Sequence, residues 1–327
     1  MVGGRMTSGL FAPEKTFGER TNGRYHMPLL PGETGTKAGG DWVSGGVQSV
    51  TNMLDGVEES RGLNVWEQEQ ALIGMAMQPS LFEETSLAVA QWQQEGVDFS
   101  RIRDFPHVRK VLTGGGNGPA AEVSIIGRAK QAAGANEARQ AGTNRHVAWE
   151  WRAATGELIG TPEMQRQTLA LEALLEENGL QRVPGLSERV VRNTTVKTCG
   201  RFDDILLEMR TGRLILGDLK TKKRPFRSWM AVDGQLATYA RSEWMLTLDG
   251  QSYEPGPLDA VDLTEGVVLQ MPSNGEPPYL RRADLTYGWE VAQMARRIVD
   301  MRAYGKSAER MALSAWGTKV EELRWDS

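Results

Sequence analysis

The sequence predicts an α/β protein with a helical N-terminal half and a C-terminal half of strands and helices. Two observations carry this. Apolar residues recur at helical spacing up to Gly179, and beyond it short β-rich runs bounded by turn residues take over. With 327 residues and a hydrophobic fraction of 40 %, the chain can bury one large core or two small ones.

Residues 1–47 are rich in Gly, Pro, Thr and charge and read as an irregular segment with little core. Helices are expected over 63–78 (LNVWEQEQALIGMAMQ) and 80–96, separated by Pro79. The run LTGGGNGPAAE (112–122) is a glycine-rich break before a helix, without the Lys-Ser/Thr end of a phosphate-binding loop. Helical spacing resumes from Ala120 to about Ala154, with Gly134 and Gly142 as points of interruption. The next helix starts at Thr161, a hydroxyl N-cap followed by Pro162, and stops at Gly179. Three β-rich runs follow at 187–195, 197–210 and 212–222. The short turn RTGR (210–213) makes the last two an antiparallel hairpin. Residues 228–246 return to helix, 265–274 and 278–285 read as strands, and 286–305 as a closing helix. The expected organisation is an irregular segment 1–47, a helical region 48–135, an α/β core 136–310 and a tail 311–327.

A net charge of −4 argues against coating nucleic acid by bulk charge, but leaves room for a local basic groove. Cys199 is the only cysteine, which excludes an internal disulfide, a four-cysteine zinc site and a self-contained cysteine-ligated iron–sulfur cluster. No apolar run reaches the roughly 18 residues of a membrane span, and the N-terminus lacks a signal-peptide apolar region. The expectation is a soluble protein of a reducing compartment, the cytoplasm.

The chemistry concentrates in LILGDLKTKK (214–223). Residues two apart in a strand face one side, so Asp218 and Lys220 project together from the end of a buried run. The hairpin partner GRFDD brings Asp203 or Asp204 towards Asp218. Two carboxylates beside a lysine call for a cation, and oxygen ligands favour Mg²⁺ or Mn²⁺. Gln235 and Tyr239 are four apart and share one face of the next helix.

The order Gly200-x-x-Asp203, Asp218-x-Lys220 after an apolar strand, and Gln235-x-x-x-Tyr239 resembles the PD-(D/E)XK nuclease superfamily, and within it the RecB-type and CRISPR-associated exonuclease branch. GTNRH places Gly142, Thr143 and His146 where that branch carries G-T-x-x-H, and Glu188 matches an acid often found before the first core aspartate. SVTNML (49–54) followed by a helix bearing Trp66 is similar to phage members. The resemblance implies a restriction-endonuclease-like core over 136–310: a mixed sheet flanked by helices, with a mainly helical region before it. It implies Asp203 rather than Asp204 as the metal-binding acid. His146, Asp203, Asp218 and the Leu219 carbonyl become the metal ligands, with Glu188 as an additional one. Lys220, Gln235 and Tyr239 join Asp203 and Asp218 as catalytic residues. The four cysteines of many CRISPR-associated members are missing, so no iron–sulfur cluster is expected.

These features imply a divalent-metal-dependent deoxyribonuclease, an exonuclease of phage recombination or replication, with DNA and a protein of those processes as partners. Lys222, Lys223, Arg224 and Arg227 follow the catalytic strand and read as a patch that grips the DNA backbone. The rival reading is an inactive nuclease fold that binds DNA or serves assembly.

Overall fold

The computed structural model describes residues 19–20, 24–25, 27–31, 33, 43, 46–55, 57, 61–114, 119–222, 229–250 and 252–316. Strands β1 (Glu19–Arg20), β2 (Arg24–Tyr25) and β3 (Val47–Ser49) lead into helix α1 (Val50–Leu54). A helical layer follows: α2 (Arg61–Met77), α3 (Pro79–Gln94), α4 (Pro106–Thr113), α5 (Pro119–Glu122), α6 (Ile125–Ala132), α7 (Ala135–Thr155) and α8 (Pro162–Glu177). The rest is β4 (Leu180–Arg182), β5 (Arg189–Asn193), β6 (Thr198–Phe202), β7 (Asp204–Glu208), β8 (Leu214–Lys220), α9 (Met230–Ala240), β9 (Trp244–Leu246), β10 (Tyr253–Pro255), β11 (Val261–Gln270), β12 (Tyr279–Asp284) and α10 (Leu285–Trp316).

Local chemistry explains several boundaries. Pro79 opens α3, where its missing N–H costs nothing. The Thr161 hydroxyl accepts from Met164 N at 3.2 Å and caps α8. Gly134, with φ of 83°, separates α6 from α7. Gly142, expected as a second interruption, lies inside an unbroken α7.

The protein is mixed α/β, with two mixed sheets flanked by helices. One sheet has the order β1-β2-β3-β6-β5-β9-β10, the other β12-β11-β8-β7-β4. The expected hairpin is β7–β8, antiparallel with Ile205 opposite Leu216. Its turn closes through Gly212 N to Glu208 O at 2.8 Å. Central strand β8 is parallel to β11, so its Asp218 lies beside Val268 and its Lys220 beside Gln270. Alternation along β8 divides the core. Leu216 packs with Leu236 of α9 and Ala292 of α10, whereas Ile215 and Leu219 pack with Trp149 of α7 and Leu171 of α8.

Several expectations need correction. The run 197–210 is not one strand: it breaks at Asp203, with β6 in one sheet and β7 in the other. The helix expected over 228–246 ends at Ala240, and Trp244–Leu246 instead pairs with β5. The N-terminal segment contributes core, since Met27 is fully buried among Val47, Val190, Cys199 and Leu246. Helix α1 packs with α9 and α10 rather than with the helical layer that follows it. The closing helix runs on to Trp316. Among the described residues no helix is long and apolar enough to cross a membrane.

Candidate metal centre

The break at Asp203 creates the site. As the chain leaves one sheet for the other, Asp203 turns towards the end of β8, and its Oδ2 accepts from Leu219 N at 2.5 Å. Leu219 thus enters the site through its backbone N–H. Asp204, one residue on, faces the opposite way and is fully buried. Its carboxylate accepts from Trp149 Nε1 at 2.6 Å, from Arg182 Nε and Nη2 at 2.8 and 2.6 Å, and from Ser187 Oγ at 2.7 Å. With both carboxylate oxygens accepting hydrogen bonds, Asp204 is a structural acid, and Asp203 is the one at the centre.

Helix α7 crosses the end of β8 so closely that a Cβ on Gly142 would sit 2.8 Å from Thr221 Oγ1. That approach sets His146, one turn on, with Nδ1 3.9 Å from Asp203 Oδ2. Thr143 is exposed on the same helix. Glu188 was expected within a strand. It precedes β5 in a left-handed conformation, φ 57°, and its N–H donates to Asp203 O at 3.0 Å. This tight bend turns its side chain inward. His146, Glu188 and Asp203 each offer a ligand atom, all within 4.8 Å of one another.

Asp218 stands beside this trio rather than within it. Its Oδ2 lies 2.5 Å from Lys220 Nζ. The Lys220 ammonium also donates to Gln235 Oε1 at 3.3 Å, and Gln235 Nε2 reaches Tyr239 Oη at 3.0 Å and, at a long 3.4 Å, Asp218 Oδ1. Gly200 explains why Tyr239 fits there: a Cβ at Gly200 would fall 2.4 Å from Tyr239 Cε1. The two motif positions are two sides of one packing contact. Four elements, α7, the β6–β7 junction, β8 and α9, therefore converge on His146, Asp203, Asp218, Lys220, Gln235 and Tyr239.

The electrostatics suit a cation. Burial, and after it the Lys220 charge, lower the His146 pKa to about 4, so its imidazole is neutral and free to ligate at neutral pH. Burial and the neighbouring Asp218 hold the Asp203 carboxyl well above the usual range. Burial, then Asp203, push Glu188 up to about 10 against the pull of Arg201, and Glu150 adds to the rise. Buried oxygens Oε2 of Glu188 and Oδ2 of Asp218 have ion-pair neighbours but no aligned hydrogen-bond donor. Carboxylate lone pairs left open beside a neutral imidazole are a donor set for a hard divalent ion.

Of the residues expected to grip DNA, Lys222 is exposed just beyond β8, while Lys223, Arg224 and Arg227 lie outside the described residues. Two residues at the centre went unforeseen. Glu150 lies four residues after His146 and hence on the same helical face, and Arg201 lies two before Asp203. Those spacings were the available signal. No protein-family model matches the chain, and no curated protein does.

Proposed function

We propose that the protein is a divalent-metal-dependent deoxyribonuclease of the PD-(D/E)XK class, an exonuclease similar to the RecB-type and CRISPR-associated branch and serving phage recombination or replication. The observation that carries this reading is the meeting of His146, Asp203, Asp218, Lys220 and Gln235, from four separate elements, at the end of one central strand. An acidic cluster built for structure alone would be filled with donors, as Asp204 is.

His146, Glu188 and Asp203 would hold a Mg²⁺ or Mn²⁺ ion, with Asp218 and the Leu219 carbonyl alongside. Such an ion would polarise the phosphodiester and the water that attacks it. The Leu219 N–H fixes the orientation of Asp203. Lys220, held between Asp218 and Gln235, directs its ammonium at the attacking water or offsets charge growing on the phosphate. Gln235 braces both, and buried Tyr239 braces Gln235. Lys222, Lys223, Arg224 and Arg227 supply charge for the DNA backbone next to the catalytic strand.

The test is digestion of end-labelled linear, circular and single-stranded DNA with Mg²⁺, Mn²⁺ or EDTA. An exonuclease releases label from linear DNA with either metal, spares circles and is silent in EDTA. Nicked circles would make it an endonuclease, and no hydrolysis under any condition would overturn the reading.

A further inference from the structure

Among the described residues, Lys220 and Arg201 border the centre, and they are used differently. Lys220 is committed to Asp218 and Gln235. Arg201 touches Glu188 Oε2 through Nε at 2.7 Å, a contact without hydrogen-bond alignment. Among the described residues its terminal nitrogens make no hydrogen bond.

Other arginines in this fold behave otherwise. Arg182 donates from Nε and Nη2 to Asp204 and from Nη1 to Trp149 O. Arg145 uses all three nitrogens on Gln167, Ala141 O and Glu163, and Arg192 clasps Glu33 with both terminal nitrogens. Their side chains are 14 %, 5 % and 9 % exposed, whereas that of Arg201 is 36 % exposed. An arginine placed only to neutralise Glu188 would be buried and aligned on it, as Arg182 is on Asp204. Arg201 instead stays partly exposed, close enough for its charge to act on His146, Glu188, Glu150 and Asp203.

We infer that Arg201 is the phosphate-binding side chain of this centre, its open edge taking two non-bridging oxygens of the DNA phosphodiester that lies against His146, Glu188 and Asp203. A planar guanidinium with two parallel donors matches that group, and the carboxylates around it hold it in place without filling its donors. The inference rests on the nuclease reading and adds a substrate contact that the acid–lysine motif does not contain.

The test compares the parent with Arg201→Gln and Arg201→Lys. Binding of a short fluorescent oligonucleotide is followed by anisotropy in EDTA across a salt series, and KM and kcat are measured on end-labelled DNA in Mn²⁺. Arg201→Gln should weaken binding and raise KM by about tenfold or more, the loss of a charge-assisted contact. Its log-affinity against log-salt slope should become shallower by about 0.7–0.9, one phosphate contact. The Mn²⁺-induced rise in melting temperature should remain. Arg201→Lys should keep the slope and still bind several-fold more weakly, because one ammonium cannot replace the fork. Parental affinity and slope in Arg201→Gln would overturn the assignment. If that variant does not fold, parental affinity and KM in Arg201→Lys would do the same. An active parent with an indifferent Arg201→Gln removes this assignment alone, whereas a parent that hydrolyses no DNA removes the nuclease reading as well.

Discussion

Asp218→Asn separates the two tasks of the strand-end acid. Asp218 is 2 % exposed and Lys220 20 %, with 2.5 Å between their charged atoms. Neutralising the acid leaves a largely buried ammonium whose contact to Gln235 Oε1, at 3.3 Å, is no substitute for a carboxylate. Breaking a fully buried pair in this way costs about 3–5 kcal/mol. The partial exposure of Lys220 and the Gln235 contact reduce that. So does relief of Asp203, whose carboxyl is held high by burial and then by Asp218 itself. The net expectation is a loss of about 1–3 kcal/mol, or about 2–10 °C in melting temperature for a chain of this size. Thermal unfolding in EDTA measures it. The double change Asp218→Asn with Lys220→Met should lose less than the sum of the singles, since the ammonium that lost its carboxylate is gone. A metal-free Asp218→Asn protein that melts at or above the parent, or a cycle without coupling, would refute the reasoning.

Three further outcomes follow from the same geometry. Asp204→Asn should cost about 3–5 kcal/mol because it strands Arg182, while Asp203→Asn should abolish hydrolysis with a much smaller drop in metal-free melting temperature; reversed effects in melting and turnover would exchange the two roles. Gly200→Ala should cost about 1–3 kcal/mol by driving a methyl into the buried Tyr239 ring and should lower kcat by loosening Gln235; parental melting temperature and kcat would contradict this. Burial, partly offset by Arg281 and reinforced by Asp284, raises the Asp233 pKa from 3.8 to about 6. An acid raised by folding loses stability as pH climbs from 3.8 through 6, so Asp233→Asn should melt above the parent at pH 7.5 and lose that advantage near pH 4; a pH-independent difference would contradict it.

Much of the site was legible because it obeys short-range rules. Asp218 and Lys220 share a face by strand alternation, Gln235 and Tyr239 by helical spacing, and the Arg210–Arg213 turn fixes the hairpin. The switch between sheets was hidden, since Thr198–Phe202 and Asp204–Glu208 form one continuous β-like run and only tertiary pairing divides them. The inward turn of Glu188 was equally hidden, because it depends on a left-handed conformation that glutamate rarely adopts. Trp244–Leu246 reads as helix locally and becomes strand because it pairs with β5 on one side and β10 on the other. Glu150 and Arg201 carried a spacing signal, but their roles depend on partners far away in the chain.

Single-turnover hydrolysis of end-labelled linear DNA in Mn²⁺, comparing the parent with Lys220→Ala, tests the role of this centre most directly. The parent should release label. Lys220→Ala should be slower by about 10²–10³-fold, as for loss of one charge-stabilising group at a reacting centre, while its DNA affinity stays within a few-fold. A parent that leaves DNA intact, or a Lys220→Ala protein that cuts within a few-fold of it, would contradict the assignment of this centre to phosphodiester hydrolysis.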